Sequence, residues 1–310
     1  MSSITMPATT AYIRGALYGI AAVANWASWI VAVRLGIRTS LTPWDIVAIR
    51  SGVAGLILLP FLLKKGLAAD RLGWPGLAAI ILGGGAPMVL VSYGGLLFAP
   101  AAHAASLYTA LIPLYVAMSA AVVLGEAFTV AKRIGLVLIG TGALGIVWGA
   151  GGTTGSRQNI GHAMFIAAGM LWASYIVAMR KARLEGLHAA AIAAVGSLIA
   201  YVPVYASIFG TSLFNAPWRD LVVQAFVHGF LVAVISFVCI GRAVSILGAS
   251  NGSSFAALAP ATTAILAIPI LGEWPAANDW IAMLLMSGGV YIVSRGPLSA
   301  RLSSNSFAVR

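Results

Sequence analysis

Charge is what this sequence has least of. Only 8% of its 310 residues are charged while 61% are hydrophobic, and the mean hydropathy is +0.99. Soluble domains carry about 25% charged residues, so a water-facing surface is out of reach for this composition. Acids are scarcest: seven Asp and Glu stand against eighteen Lys and Arg, for a net charge of +11. All seven (Asp45, Asp70, Glu126, Glu185, Asp220, Glu273 and Asp279) fall at the ends of apolar stretches or in the breaks between them. A carboxylate at membrane centre would mark a cation site or a proton relay, and none is expected. The single cysteine, Cys239, excludes an intramolecular disulfide and a cysteine-based metal cluster, and no metal or cofactor is expected. Membrane-depth acid pairs are missing too, and the nearest Ser–His pairing, His103 with Ser106, has no orienting acid near it. The chain therefore reads as no enzyme.

What is present is long apolar runs. About 20 apolar residues cross a hydrocarbon core of about 30 Å. Barrel strands would alternate polar and apolar positions, and runs such as "GLVLIGTGALGIVWGA" do not. The expected fold is all-α and polytopic, with ten transmembrane helices near 12–34, 44–63, 75–98, 103–124, 130–149, 160–180, 188–209, 221–247, 252–271 and 277–294. Short connections leave no room for an extramembrane domain, and the polar tail 295–310 is expected to be disordered and cytoplasmic. The first apolar run is too long for a signal-peptide core and is expected to stay as a helix. With the N-terminus inside, thirteen of the eighteen basic residues fall on the cytoplasmic side and four (Arg34, Arg38, Arg157, Arg219) on the other, with Arg50 inside the second span. That asymmetry places both termini in the cytoplasm. The positive charge thus belongs to loop topology; the expected partners are a lipid bilayer and a small molecule, not nucleic acid, and the chain is expected to act as a monomer.

The chain also repeats itself. "WASWIVAVR" (26–34) and "WASYIVAMR" (172–180) share seven of nine residues at an offset of 146. "SLYTALIPLYVAMSAAVVLGE" (106–126) aligns without gaps to "SSFAALAPATTAILAIPILGE" (253–273), at an offset of 147. Ser106 pairs with Ser253, Pro113 with Pro260, and Gly125-Glu126 with Gly272-Glu273. Each unit holds five spans, an odd number, so the second enters the membrane upside down. The expected domains are a five-helix repeat over 12–149 and its inverted copy over 160–294. Two inverted halves pack in two similar ways, one open to each side, which is the layout of secondary transporters with substrate between the repeats.

Candidate site residues follow from that layout. Pro113 and Pro260 each remove a backbone donor inside a span, so a bend or broken turn is expected at both, and they are candidate hinges. Trp26 and Trp172 lie too deep for an interfacial belt; their placement fits either packing between helices or the wall of a cavity. Trp29 and Tyr175 are a second equivalent pair. Tyr93 and Tyr108 add hydroxyls, and Asn25, Ser28, Ser106, Ser174, Asn251 and Ser253 add neutral hydrogen-bonding groups. An aromatic, neutral-polar cavity suits a small amphipathic organic molecule better than a bare ion. His103 and His228 read first as hydrogen-bonded structural histidines, with titration as the alternative. Arg50 reads first as snorkelling to the outer face, with a substrate carboxylate as the alternative. Glu126 and Glu273 read as anchors that complement a helix dipole, with gating through ion pairs as the alternative. Gly15/Gly19 and Gly145/Gly149 are expected to let helices approach closely.

Four segments carry a family resemblance: "NWASWIVAVR", "AIRSGVAGLILLP" (48–60), "LIPLYVAMSAAVVLGE" (111–126) and its copy "LAPATTAILAIPILGE" (258–273). Together they resemble the drug/metabolite transporter superfamily, in its EamA-type ten-helix branch, over residues 12–294. The resemblance implies a basket of ten helices with cytoplasmic termini that exports small metabolites by alternating access. The aromatic positions look like those of amino-acid exporters, including exporters of aromatic amino acids. The sequence departs from strict repetition at Arg50, whose equivalent is Gly196. A multidrug or other metabolite carrier is the alternative in the same class; a nucleotide carrier needs several buried cations, and only Arg50 and Arg242 come close.

Overall fold

The computed structural model describes residues 8–39, 41–125, 128–151, 156–210, 212–235, 239, 242, 243, 246, 247 and 254–294. Among them there is helix and no strand. The first half holds α1 (Ala8–Thr39), α2 (Pro43–Lys65), α3 (Ala69–Gly84), α4 (Ala86–Gly95), α5 (Ala101–Ala104), α6 (Ile112–Leu124) and α7 (Val130–Gly151). The second holds α8 (Ser156–Lys181), α9 (Gly186–Phe209), α10 (Trp218–Gln224), α11 (Ala259–Leu271) and α12 (Ala277–Ser294). A π-helical stretch, Ala105–Ala110, joins α5 towards α6, and another, Ala225–Ile235, continues α10. Among the described residues, seven stretches, from Tyr12–Arg38 to Gly186–Phe209, are long and apolar enough to cross a membrane. The tail 295–310 lies outside the described residues.

Local chemistry sets the boundaries. Thr42 and Asp45 form a capping box at the start of α2, with Pro43 in the first turn, where its missing N–H costs nothing. The third expected span is broken: Gly85 is extended (φ −100°, ψ −160°), and the helix restarts at Ala86. Pro87 cannot supply a helical N–H there, and the Ala86 N–H donates instead to Ser197 Oγ at 2.8 Å. Gly73 (φ 61°, ψ 176°) interrupts α3 close to the expected start at 75, and the segment ends at Gly95 rather than 98.

The repeat is visible in the backbone. Leu111 (φ −81°, ψ −14°) and Leu258 (φ −81°, ψ −11°) precede α6 and α11, each 13 residues long with its proline in the first turn. Gly125 (φ 67°, ψ 25°) and Gly272 (φ 66°, ψ 21°) end these helices in the left-handed region that glycine enters without strain. Packing follows the same symmetry: α2 pairs with α9 and α7 with α12, while α1 lies against α11 as α8 lies against α6. The close approaches use glycine. On α3, a Cβ at Gly83 would meet Leu171 O at 2.2 Å, and one at Gly84 the Tyr175 ring at 2.7 Å. Between α7 and α12, a Cβ at Gly135 would meet Gly289 O at 2.7 Å. Of the expected small-residue pairs, Gly15 and Gly19 do face Leu247 and Phe255, whereas nothing lies within 4 Å of a Cβ on Gly149.

The outer surface is apolar. Trp74, Trp148, Trp218 and Trp274, all at or near helix ends, are three-quarters or more exposed, which fits rings seated at a membrane–water interface. The end of the bundle that carries the C-terminus of α1 is called upper below, and the end where α1 begins, lower.

Candidate functional site

A cavity of about 400 Å³ opens between the two repeats. Trp26 of α1 and its repeat equivalent Trp172 of α8 both line it, as do Tyr93, Tyr108 and Pro113. Trp29 is the centre of its aromatic wall, stacked on Tyr93 (centroids 5.6 Å apart) and edge-on to Tyr108 (6.0 Å). On the opposite side Trp172 stacks on Tyr175 at 4.9 Å. The hydroxyl of Tyr108 has only the soft sulfur of Met88 as a partner, at 3.6 Å. Gly84 and Gly85 form part of the wall, so the chain break between α3 and α4 borders the cavity, where irregular backbone is tolerated at membrane depth.

The polar part of the wall is small. Arg50 of α2 is the only Lys, Arg, Asp or Glu among the lining residues. Its Nη1 lies 3.4 Å from the Tyr93 hydroxyl, and the Tyr93 oxygen lies 3.1 Å from His228 Nδ1. With Tyr93 accepting from Arg50 and donating to Nδ1, the imidazole carries its proton on Nε2. That atom and Ser92 Oγ are buried without a partner, and both residues line the cavity.

The remaining sequence-derived candidates stand elsewhere. The hydroxyls of Ser28, Ser106 and Ser174 bond to carbonyls of their own helices, at Asn25 (2.9 Å), Ala102 (2.9 Å) and Leu171 (2.6 Å). Asn25 Nδ2 donates to Leu231 O at 2.6 Å and ties α1 to the π-helical stretch after α10. Pro260 is buried in the first turn of α11, outside the lining set. Asn251, Ser253 and Glu126 lie outside the described residues. Sequence reasoning did not select Trp29, although its place one turn beyond Trp26 marks the same helix face.

Above the cavity, the upper end is tied shut by charge. Glu273, just past α11, accepts from Arg34 Nε at 2.8 Å, Arg38 Nη2 at 2.6 Å and the Ala101 N–H at 2.8 Å. Arg34 also donates to Leu96 O, and Arg38 to Leu271 O. The glutamate thus joins α1, α11 and the first turn of α5, whose helix dipole favours a carboxylate. The dipole it complements is that of α5 rather than of the helix that follows it in sequence. Beside it, His103 bridges Asp279 (3.3 Å) and His162 (2.9 Å), linking α5, α12 and α8. At the lower end no such closure borders the cavity among the described residues: Leu187, 47% exposed, stands at its rim.

Comparison with known proteins agrees with this architecture. A curated relative from Streptantibioticus cattleyicolor, named "Probable terminal-alkyne amino-acid exporter", is 29% identical over 294 residues, 90% of this chain and 93% of that one. A solved crystal structure superposes with a TM-score of 0.59 at 19% identity, covering 93% of this chain and 98% of that one. The profile of the EamA-like transporter family matches twice, over residues 13–148 and 159–295, once for each repeat. By both matches, the chain belongs to the EamA-like transporter family.

Proposed function

We propose that the protein is a secondary transporter that exports amino acids, aromatic ones included, or similar small zwitterionic metabolites across the inner membrane by alternating access. The observation that carries this reading is the convergence of Trp26 and Trp172, equivalent residues of the two repeats, on one cavity between them. The name of the 29% identical relative supports the amino-acid class. Thirteen of eighteen basic residues favour cytoplasmic termini, which makes the upper end the outer one. The cavity, rimmed by Leu187 below and tied off by Glu273 above, is then in its inward-facing form, ready to load from the cytoplasm.

Trp26, Trp172, Tyr93 and Tyr108 pack the apolar part of the substrate. Pro113 and Pro260 serve as bending points, since each sits in the first turn of an α-helix that follows a stretch of π- or 3-10 winding, at equivalent places. Reconstituted protein in liposomes, offered labelled aromatic and aliphatic amino acids with and without a pH gradient, tests the proposal. Saturable uptake is expected. Absence of uptake for every amino acid would remove the substrate class.

A further inference from the structure

We infer that Arg50, with Ser92 and His228 beside it, is a carboxylate subsite, and that the carboxylate is the one charge a substrate must carry. The α-amino group is dispensable. This rests on the transport reading above and deepens it.

The inference begins with an imbalance of charge. Arg50 lies five residues into α2 from Asp45, about 8 Å along the helix axis, and its side chain is half-buried on the cavity wall. Among the described residues no carboxylate pairs with it, and Asp45 is engaged by Thr42 and Tyr205. A cation at membrane depth is costly unless something neutralises it. Snorkelling does not describe this side chain, because its guanidinium turns to the cavity-lining Tyr93. What faces the cavity is therefore a planar fork of donors whose natural complement is a carboxylate, bound through two parallel N–H···O contacts.

Two neighbours reinforce that chemistry. Ser92 is 2% exposed and His228 1% exposed, and Ser92 Oγ and His228 Nε2 have no hydrogen-bond partner among the described residues. A serine hydroxyl and an imidazole N–H are both donors, so an acceptor-rich group satisfies them along with Arg50. Among the described residues no acid lines the cavity to receive an ammonium; the faces of Trp29, Trp26 and Trp172 offer only cation–π contact, which is weaker and does not discriminate strongly. A monoanionic aryl carboxylate thus neutralises the site, whereas a zwitterion adds a second cation beside Arg50.

The test uses the full-length protein in non-ionic detergent and a set of ligands on one skeleton: L-phenylalanine, 3-phenylpropionate, 2-phenylethylamine and L-phenylalaninamide. Binding is read by calorimetry, which is independent of transport. The acid and the amino acid are expected to bind, the acid at least as tightly, and the amine and amide at least tenfold more weakly. Arg50→Gln is expected to lose at least tenfold in affinity for 3-phenylpropionate, with Arg50→Lys intermediate because it keeps charge without the fork. Equal binding of amine and acid, or undiminished acid binding by Arg50→Gln, would overturn the subsite. Should Arg50→Gln not fold, the wild-type ligand series and Arg50→Lys decide the matter alone. Acid binding without amino-acid uptake in liposomes removes the amino-acid substrate class and leaves the subsite; amino-acid uptake indifferent to the carboxylate removes the subsite and leaves that class.

Discussion

Replacing Glu273 by glutamine is expected to unlock the upper end of the bundle. The carboxylate holds three donors at once: Arg34, Arg38 and the first N–H of α5. These do not weigh equally. Arg38 is 40% exposed, and pairs of that kind contribute about 0–1 kcal/mol. Arg34 is 16% exposed and Glu273 11%, so their bond is partly desolvated, as is the bond to Ala101. A hydrogen bond to a charged group contributes about 1.5–3 kcal/mol, against about 0.5–1.5 for a neutral one. Glutamine keeps one carbonyl for Arg34 but turns an amide N–H₂ towards the Ala101 N–H, donor against donor. Weakening one charged bond and losing the other costs the closed form about 2–3 kcal/mol, after a discount for the remaining solvent.

At about 1.4 kcal/mol per decade, that shifts the balance between closed and open upper ends by about 30- to 150-fold. Leu96, fully buried and bonded to Arg34 through its carbonyl, reports the opening. In a Cys239→Ala background, Leu96→Cys would be labelled from the upper face with a membrane-impermeant maleimide. Labelling at least tenfold faster in Glu273→Gln is expected, and less than threefold faster in Arg38→Ala. An unchanged rate in Glu273→Gln would refute the reasoning that this carboxylate closes the bundle.

Three further outcomes are expected. Trp172→Ala and Tyr108→Ala should each lower apparent substrate affinity about tenfold or more in liposome uptake at normal expression; unchanged uptake in both would mean that the aromatic cavity is packing only. Gly83→Ala should destabilise the protein by about 1–3 kcal/mol or more, because its Cβ meets the Leu171 carbonyl at 2.2 Å; a thermal midpoint equal to wild type would show that α3 and α8 separate at little cost. Tyr205→Phe removes a donor from Asp45, which is 7% exposed; a loss of about 1.5–3 kcal/mol in thermal unfolding is expected, and no loss would show that Thr42 alone satisfies the carboxylate.

The membrane made much of this fold legible. A bilayer demands helices of set length, so runs such as "AIRSGVAGLILLP" announce a span without any pattern inside them. The matches of Gly125 with Gly272 and Pro113 with Pro260 were legible as a repeat, and the backbone repeats there: each glycine is left-handed and each proline sits in the first turn of a 13-residue helix. Rotation about each helix axis was not legible. In water an apolar stripe phases a helix against its core, but helices apolar on every side carry no such mark. Whether Arg50 turns to the lipid or to the cavity depends on that rotation, whereas the bond from Ser106 to its own carbonyl at Ala102 is a rotamer choice that any helix face allows. Trp29, paired with Tyr175 in the repeat, shares that ambiguity: a tryptophan in an apolar run reads equally well as packing or as wall.

The two repeats share a pattern but not a chemistry, and that difference gives the site its direction. Arg50 and Gly196 occupy equivalent places on α2 and α9, helices that pack against each other. At Gly196 a Cβ would come within 3.0 Å of Ile81 Cγ1, so α9 uses this place to let α3 approach. On α2 the same place carries a guanidinium into the cavity. Had both repeats kept arginine, the second side chain would meet Ile81 and α3 could not close on α9. Had both kept glycine, the aromatic walls would bind a ring in either sense. Inverted symmetry thus supplies two packings of nearly equal energy for rocking. On the proposed transport reading, the one broken symmetry supplies a single polar pole against which an amphipathic substrate would orient.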